Sequence, residues 1–284
     1  VRSVRPIGIA AEAGSRFLRD HGFSHAAAVA YFSLLSLPPF LYLAAAVLEA
    51  TLPESVSGAA SLATLEGFLP AVAVPVFRTL VERLPEGGGL FWIAVPALVW
   101  AATTAFSAFE LAVNVAFGTA HRRRFWLSRL KAFATVSGIA VILGGATLWN
   151  QFLGRWEGWG GATEGPILGP IASRFSEIVA FLAVYGGFVV LYKLLPRGRV
   201  AWGASAKAAI PAVLLWEGAR LVFGGFLLRS PLYGLLTGTL AGTVTLLVWI
   251  YVAVALALYG AEVAAVLDGR RPQRAPAAEN PYDP

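Results

Sequence analysis

Residues 235–267 read LLTGTLAGTVTLLVWIYVAVALALYGAEVAAVL and contain a single charged residue, Glu262. About 20 apolar residues in helical form cross the hydrocarbon core of a bilayer, at a rise of about 1.5 Å per residue. This run exceeds that length and reads as a transmembrane helix. Five further stretches pass the same test: Ala26–Leu48, Leu90–Phe117, Ala132–Leu153, Ile178–Leu195 and Ala208–Leu228. The composition agrees. Of 284 residues, 57% are hydrophobic and only 13% charged, with a mean hydropathy of +0.69. A soluble domain carries roughly 25% charged residues, and a fold with half that number could not cover its apolar surface. The expected fold is an all-α integral membrane protein with a six-helix transmembrane bundle over residues 26–267.

The formal net charge is +6, with a pI near 9.9. In a membrane protein such a balance first reports topology, because Lys and Arg accumulate in cytoplasmic loops. With the N-terminus inside, 16 of the 22 basic residues fall on the cytoplasmic side, in segments around Arg2–Arg19, Arg122–Lys131, Lys193–Lys207 and Arg270–Arg274. Five fall outside and Arg220 lies within a span. Both termini are therefore expected in the cytoplasm. The chain has no cysteine, which excludes disulfides, thiolate catalysis and cysteine-held metals. No apolar run with a small-residue cleavage site opens the sequence, so no removable signal peptide is expected.

Residues 1–25 form the N-terminal cytoplasmic segment. Within it Ile7, Ala10, Ala11, Gly14, Phe17 and Leu18 follow helical spacing, with Glu12, Arg16, Arg19 and Asp20 on the other face. This pattern predicts an amphipathic helix on the inner leaflet. The outside insertion 49–89 carries helical apolar spacing interrupted by Pro70 and Pro75, and predicts short extracytoplasmic helices. The outer loop Gly154–Pro170 is rich in Gly and holds Trp156 and Trp159. The cytoplasmic tail 268–284 is expected to be disordered.

Ionisable residues inside a bilayer are costly and mark candidate sites. Glu217 and Arg220 lie three residues apart on one face of the fifth span. They read either as a self-neutralising ion pair or as a polar patch for a charged headgroup. Glu110 and Asn114 share a face near the cytoplasmic end of the second span, and Glu262 lies near that end of the sixth. These two carboxylates could bond the nearby basic loops or serve proton coupling. Gly234, Gly238 and Gly242 form a small-residue ridge suited to close helix packing. Pro38–Pro39 interrupts the hydrogen-bond ladder of the first span, which predicts a broken helix. His21 and His25 are spaced to share a helical face, but no carboxylate-rich cluster accompanies them, so no metal or other cofactor is expected. No phosphate-binding loop, nucleophile elbow or zinc-protease motif occurs.

Several short strings occur in a recognisable order. Ala28-Val-Ala-Tyr-Phe-Ser-Leu-Leu-Ser-Leu-Pro-Pro39 is followed by Arg124-Phe125-Trp126, Leu194-Leu195-Pro196 and Trp202-Gly203-Ala204. Trp216-Glu217, Tyr233-Gly234, Trp249-Ile250-Tyr251 and Gly260-Ala261-Glu262 complete the series. Over roughly residues 10–268 the chain resembles the YihY/BrkB family of bacterial inner-membrane proteins. The older family label, ribonuclease BN, implies tRNA processing, yet this chain lacks the clustered His and Asp ligands that a metal-dependent nuclease needs. The resemblance otherwise implies a role in envelope lipid transport, with membrane lipids and periplasmic lipid-transfer proteins as partners and no nucleic acid. A structural scaffold of an envelope complex is the competing reading.

Overall fold

The computed structural model describes residues 6–51, 91–119, 168–223 and 239–270, which form six α-helices and, among the described residues, no strand. In chain order they are α1 (Pro6–Arg19), α2 (Gly22–Thr51), α3 (Phe91–Ala116), α4 (Leu168–Leu194), α5 (Trp202–Val222) and α6 (Thr239–Leu267). Two stretches, Trp92–Ala116 of α3 and Gly242–Leu267 of α6, are long and apolar enough to cross a membrane. The expected third span Ala132–Leu153, residues 52–89 of the outside insertion, nearly all of the outer loop, and the tail after residue 270 lie outside the described residues. So do Gly234 and Gly238, while Gly242 is buried near the start of α6.

Helix α6 is the hub. It packs against each of the other five helices, while α2 also lies on α3, α4 on α5, and α1 on α2. Small residues permit these close approaches. Ala204, Ala208, Ala209 and Ala212 of α5, and Ala261, Ala264 and Ala265 of α6, are buried in one shared core. At the centre of that core the fully buried Tyr192 of α4 donates its hydroxyl to the Ala257 carbonyl of α6 at 3.1 Å. A side chain at Gly260 would collide with the Tyr192 hydroxyl and approach the Ala212 Cβ to 2.9 Å. An aromatic series continues outward from Tyr192 through Phe188, Trp216 and Trp249 to Phe223.

Two helices end on glycine. The Gly118 N–H reaches the Val115 carbonyl at 2.9 Å and the Thr119 N–H reaches the Asn114 carbonyl at 2.8 Å, with Gly118 at φ 64°. Gly269, at φ 72°, closes α6 in the same way through the Val266 and Ala265 carbonyls. Both are Schellman endings, which satisfy carbonyls that the last helical turn leaves open.

Several boundaries and faces differ from the sequence expectations. α4 begins at Leu168 rather than Ile178 and α5 at Trp202 rather than Ala208. Arg174, Glu177 and Lys207 end an apolar run without ending a helix. α2 runs through Pro38–Pro39 to Thr51, so the missing N–H groups weaken the ladder locally but do not break the helix. His21 does not share a helical face with His25. It sits in the α1–α2 turn at φ 52°, and its carbonyl accepts the His25 N–H at 3.1 Å. α1 is helical as expected, but its buried stripe is Ala13, Arg16 and Phe17, packed on α6, while Ile7 and Leu18 are 82% and 64% exposed. Arg16, placed by periodicity on the polar face, is buried, and the Arg270 carbonyl just after α6 accepts its hydrogen bond.

Candidate functional site

Among the described residues, the end of α3, the α4–α5 connection, the end of α6 and helix α1 are joined by hydrogen bonds at one end of the bundle. There Glu110 of α3 pairs with Arg197 of the α4–α5 connection, both Nε and Nη2 lying 3.1 Å from Oε1. Asn114, fully buried one turn later, completes the joint. Its Nδ2 donates to the Glu110 carbonyl at 2.6 Å, and its Oδ1 accepts the Arg197 N–H at 2.8 Å and the Thr119 hydroxyl at 3.0 Å. The i, i+4 spacing seen in sequence thus bonds a basic loop, one of the two roles expected for it. Lys193 turns into the same connection, donating to the Val200 carbonyl with its ammonium 4.9 Å above the Trp202 ring.

The end of α6 joins the same network. Asp268 accepts the Ala201 N–H at 2.9 Å and Arg270 Nε at 3.0 Å, and Arg270 Nη2 donates to the Arg199 carbonyl at 3.1 Å. From α1, Arg16 reaches the Arg270 carbonyl at 2.9 Å and Glu12 at 2.6 Å. Glu262 lies beneath α1, only 3% exposed. His25, at the start of α2, is held below the usual histidine pKa by partial burial first and by His21 second, against an opposing pull from Asp20.

Glu217 and Arg220 occupy a different place. Fifteen residues along α5 from Trp202, or roughly 22 Å, Arg220 Nε and Nη2 contact one Glu217 oxygen at 2.8 and 2.7 Å. The Arg220 side chain is 63% exposed and the Glu217 side chain 26%. Leu214 and Leu221 share the Glu217 face by helical spacing and are exposed. The pair is thus an island of opposite charges on an open apolar surface.

The residues expected to line a substrate path do not converge. Glu110 lies with Asn114, Glu217 with Arg220, and Glu262 with α1. Sequence reasoning did not single out Arg197, which carried only a topological meaning, or Tyr192, which hydropathy renders as one more span residue. Among the described residues no group of three His, Asp or Glu side chains could hold a metal ion.

Among the described residues, two membrane-length apolar helices and broad exposed apolar faces have the character of an integral membrane protein. The chain belongs to the BrkB family, whose model, described as virulence factor BrkB, matches residues 13–283. It is 28% identical to a protein of Bacillus subtilis (strain 168) named as ribonuclease-like, YfkH, over 94% of this chain and 97% of that one. It is also 28% identical to a UPF0761 membrane protein of Chromohalobacter salexigens, over 90% of this chain and 62% of that protein. A UPF0761 membrane protein of Tolumonas auensis is 30% identical over 51% of this chain and 47% of its own. No solved structure matches.

Proposed function

We propose that this is a six-span, inner-membrane, transporter-like protein that handles lipids or other amphiphiles in envelope biogenesis, without an ATPase of its own and with both termini cytoplasmic. The observation that carries the reading is the exposed Glu217–Arg220 pair on an otherwise apolar face of α5. A guanidinium presents five N–H donors in a planar fork that matches phosphate and carboxylate oxygens. Arg220 is therefore suited to an anionic or zwitterionic headgroup, while acyl chains lie along Leu214 and Leu221. The neighbouring Glu217 holds the guanidinium in place and offers a contact for a headgroup ammonium. The ribonuclease-like name belongs to YfkH; among the described residues here, Glu110, Asn114 and Arg197 join helix ends.

The test compares Glu217→Gln, Arg220→Gln and the double variant for membrane-inserted yield, thermal stability and lipid retained through purification, read by mass spectrometry. Either single change leaves one charge unpaired and lowers yield or stability. The double variant is expected to be stable but to retain less lipid than the parent. Equal retention in a stable double variant reduces the pair to architecture.

A further inference from the structure

The open face of α5 carries one further charge. Gly203, Lys207, Ile210, Leu214, Glu217 and Leu221 recur at alternating spacings of four and three residues, so they form one stripe along the helix. Lys207 is exposed, and Ile210, Leu214 and Leu221 are each half exposed or more. The ion-paired carboxylates Glu110, Asp268 and Glu217 are engaged by Arg197, Arg270 and Arg220. Lys207 takes part in none of these pairs. Its ammonium stands alone at the head of an apolar strip.

The depth of this ammonium follows from helix geometry. Trp202, exposed in the first turn of α5, suits the membrane–water interface, where indole rings settle. The Ala201 N–H beside it is bonded to Asp268, at the polar end of the bundle. Lys207 lies five residues further in, or about 7.5 Å along the axis. Helical side chains lean toward the N-terminus of their helix, so the four-carbon stem of Lys207 carries its ammonium back to headgroup level. Arg220, about 20 Å from Lys207 along the axis, leans the same way but is bonded to Glu217 one turn back. The two cations thus meet phosphates at different depths. They also differ in net charge. Glu217 neutralises Arg220, whereas Lys207 is ten residues from Glu217, the carboxylate of α5.

We propose that Lys207 is a separate lipid site, selective for a phospholipid of net negative charge, with the phosphate on the ammonium and the acyl chains along Ile210 and Leu214. An unpaired ammonium gains more from a net anionic headgroup than from a zwitterionic one, whose own cation opposes it. The topology proposed above puts this site in the inner leaflet. The inference takes its ligand class from the lipid-handling reading, but it does not require the Glu217–Arg220 pair to bind anything.

The test titrates the full chain, delipidated in detergent, with phosphatidylglycerol and phosphatidylethanolamine of matched acyl chains, and counts bound lipids by native mass spectrometry. The parent protein should prefer phosphatidylglycerol. Lys207→Gln should lower that preference by about fivefold, and Lys207→Arg should keep it. Arg199→Gln removes another exposed cation at the same end but off the stripe, and should leave the preference unchanged. The double variant Glu217→Gln/Arg220→Gln should also keep the preference while binding less lipid in total. Undiminished total binding in that variant would count against the Glu217–Arg220 reading and leave the Lys207 site standing. A parent protein without the preference, or Lys207→Gln with the parent's preference, overturns the proposal. Equal loss in Arg199→Gln also overturns it, because net charge would then account for the effect.

Discussion

Arg197 is held by the Glu110 carboxylate at its side chain and by Asn114 at its backbone. Both charged side chains are mostly buried, so removing one partner strands the other. Arg197→Ala is expected to destabilise the protein by about 2–4 kcal/mol, whereas pairing it with Glu110→Leu should recover much of that loss. Thermal unfolding of the single and double variants checks both values. His25 offers a pH test. Its folded pKa lies below the ordinary 6.5, so the unfolded chain binds more protons and stability declines as pH falls through that value. Replacing His25 with Asn should flatten the acid limb of a melting-temperature profile. An unchanged limb would assign acid sensitivity to another group. At this scale the sequence was informative about which residues are polar within spans, because charge in a bilayer is rare. It was silent about partners. Arg197 is 87 residues from Glu110, and no local spacing links them.

At the scale of elements, the α4–α6 contact turns on Gly260. A methyl group there meets Tyr192 and Ala212, and overpacking a filled interface costs about 1–3 kcal/mol. Gly260→Ala should lower the melting temperature, while Gly203→Ala in α5, where nothing lies within 4 Å, should leave it equal or higher by improved helix propensity. Equal losses in both variants would show that the Tyr192 contact does not limit packing. Hydropathy marked α3 and α6 as membrane-length helices because length and apolarity are local properties. Helices α4 and α5 begin ahead of the expected span starts, at Leu168 and Trp202, since a helix continues through charges that a bilayer would exclude. The sequence pattern placed Arg16 on the polar face of α1: periodicity separates polar from apolar residues, but cannot foresee that the Arg270 carbonyl beyond α6 accepts a bond from Arg16 and that the side chain is buried.

For the whole molecule, the charge asymmetry makes a topological claim about the side of the membrane that each loop faces. The turn after α1, the end of α3, the α4–α5 connection and the end of α6 are segments expected on one side of the membrane, and their hydrogen bonds place them at one end of the bundle. The native chain has no cysteine, so single-cysteine variants at Arg123 and Arg199 can be labelled without background. Both should react only with reagent that reaches the cytoplasmic face, and a variant at Arg83 only from the outside. Labelling of position 123 from outside would reverse the topology.

The central claim, that this membrane protein handles amphiphiles at Glu217 and Arg220, is tested most directly by transbilayer movement of a headgroup-labelled phospholipid. Vesicles would contain the purified protein and no nucleotide. The parent protein should move label between leaflets faster than protein-free vesicles, and the stable double variant Glu217→Gln/Arg220→Gln should lose most of that increment. Movement by the double variant at the parent rate would contradict the account, as would a parent protein no faster than lipid alone.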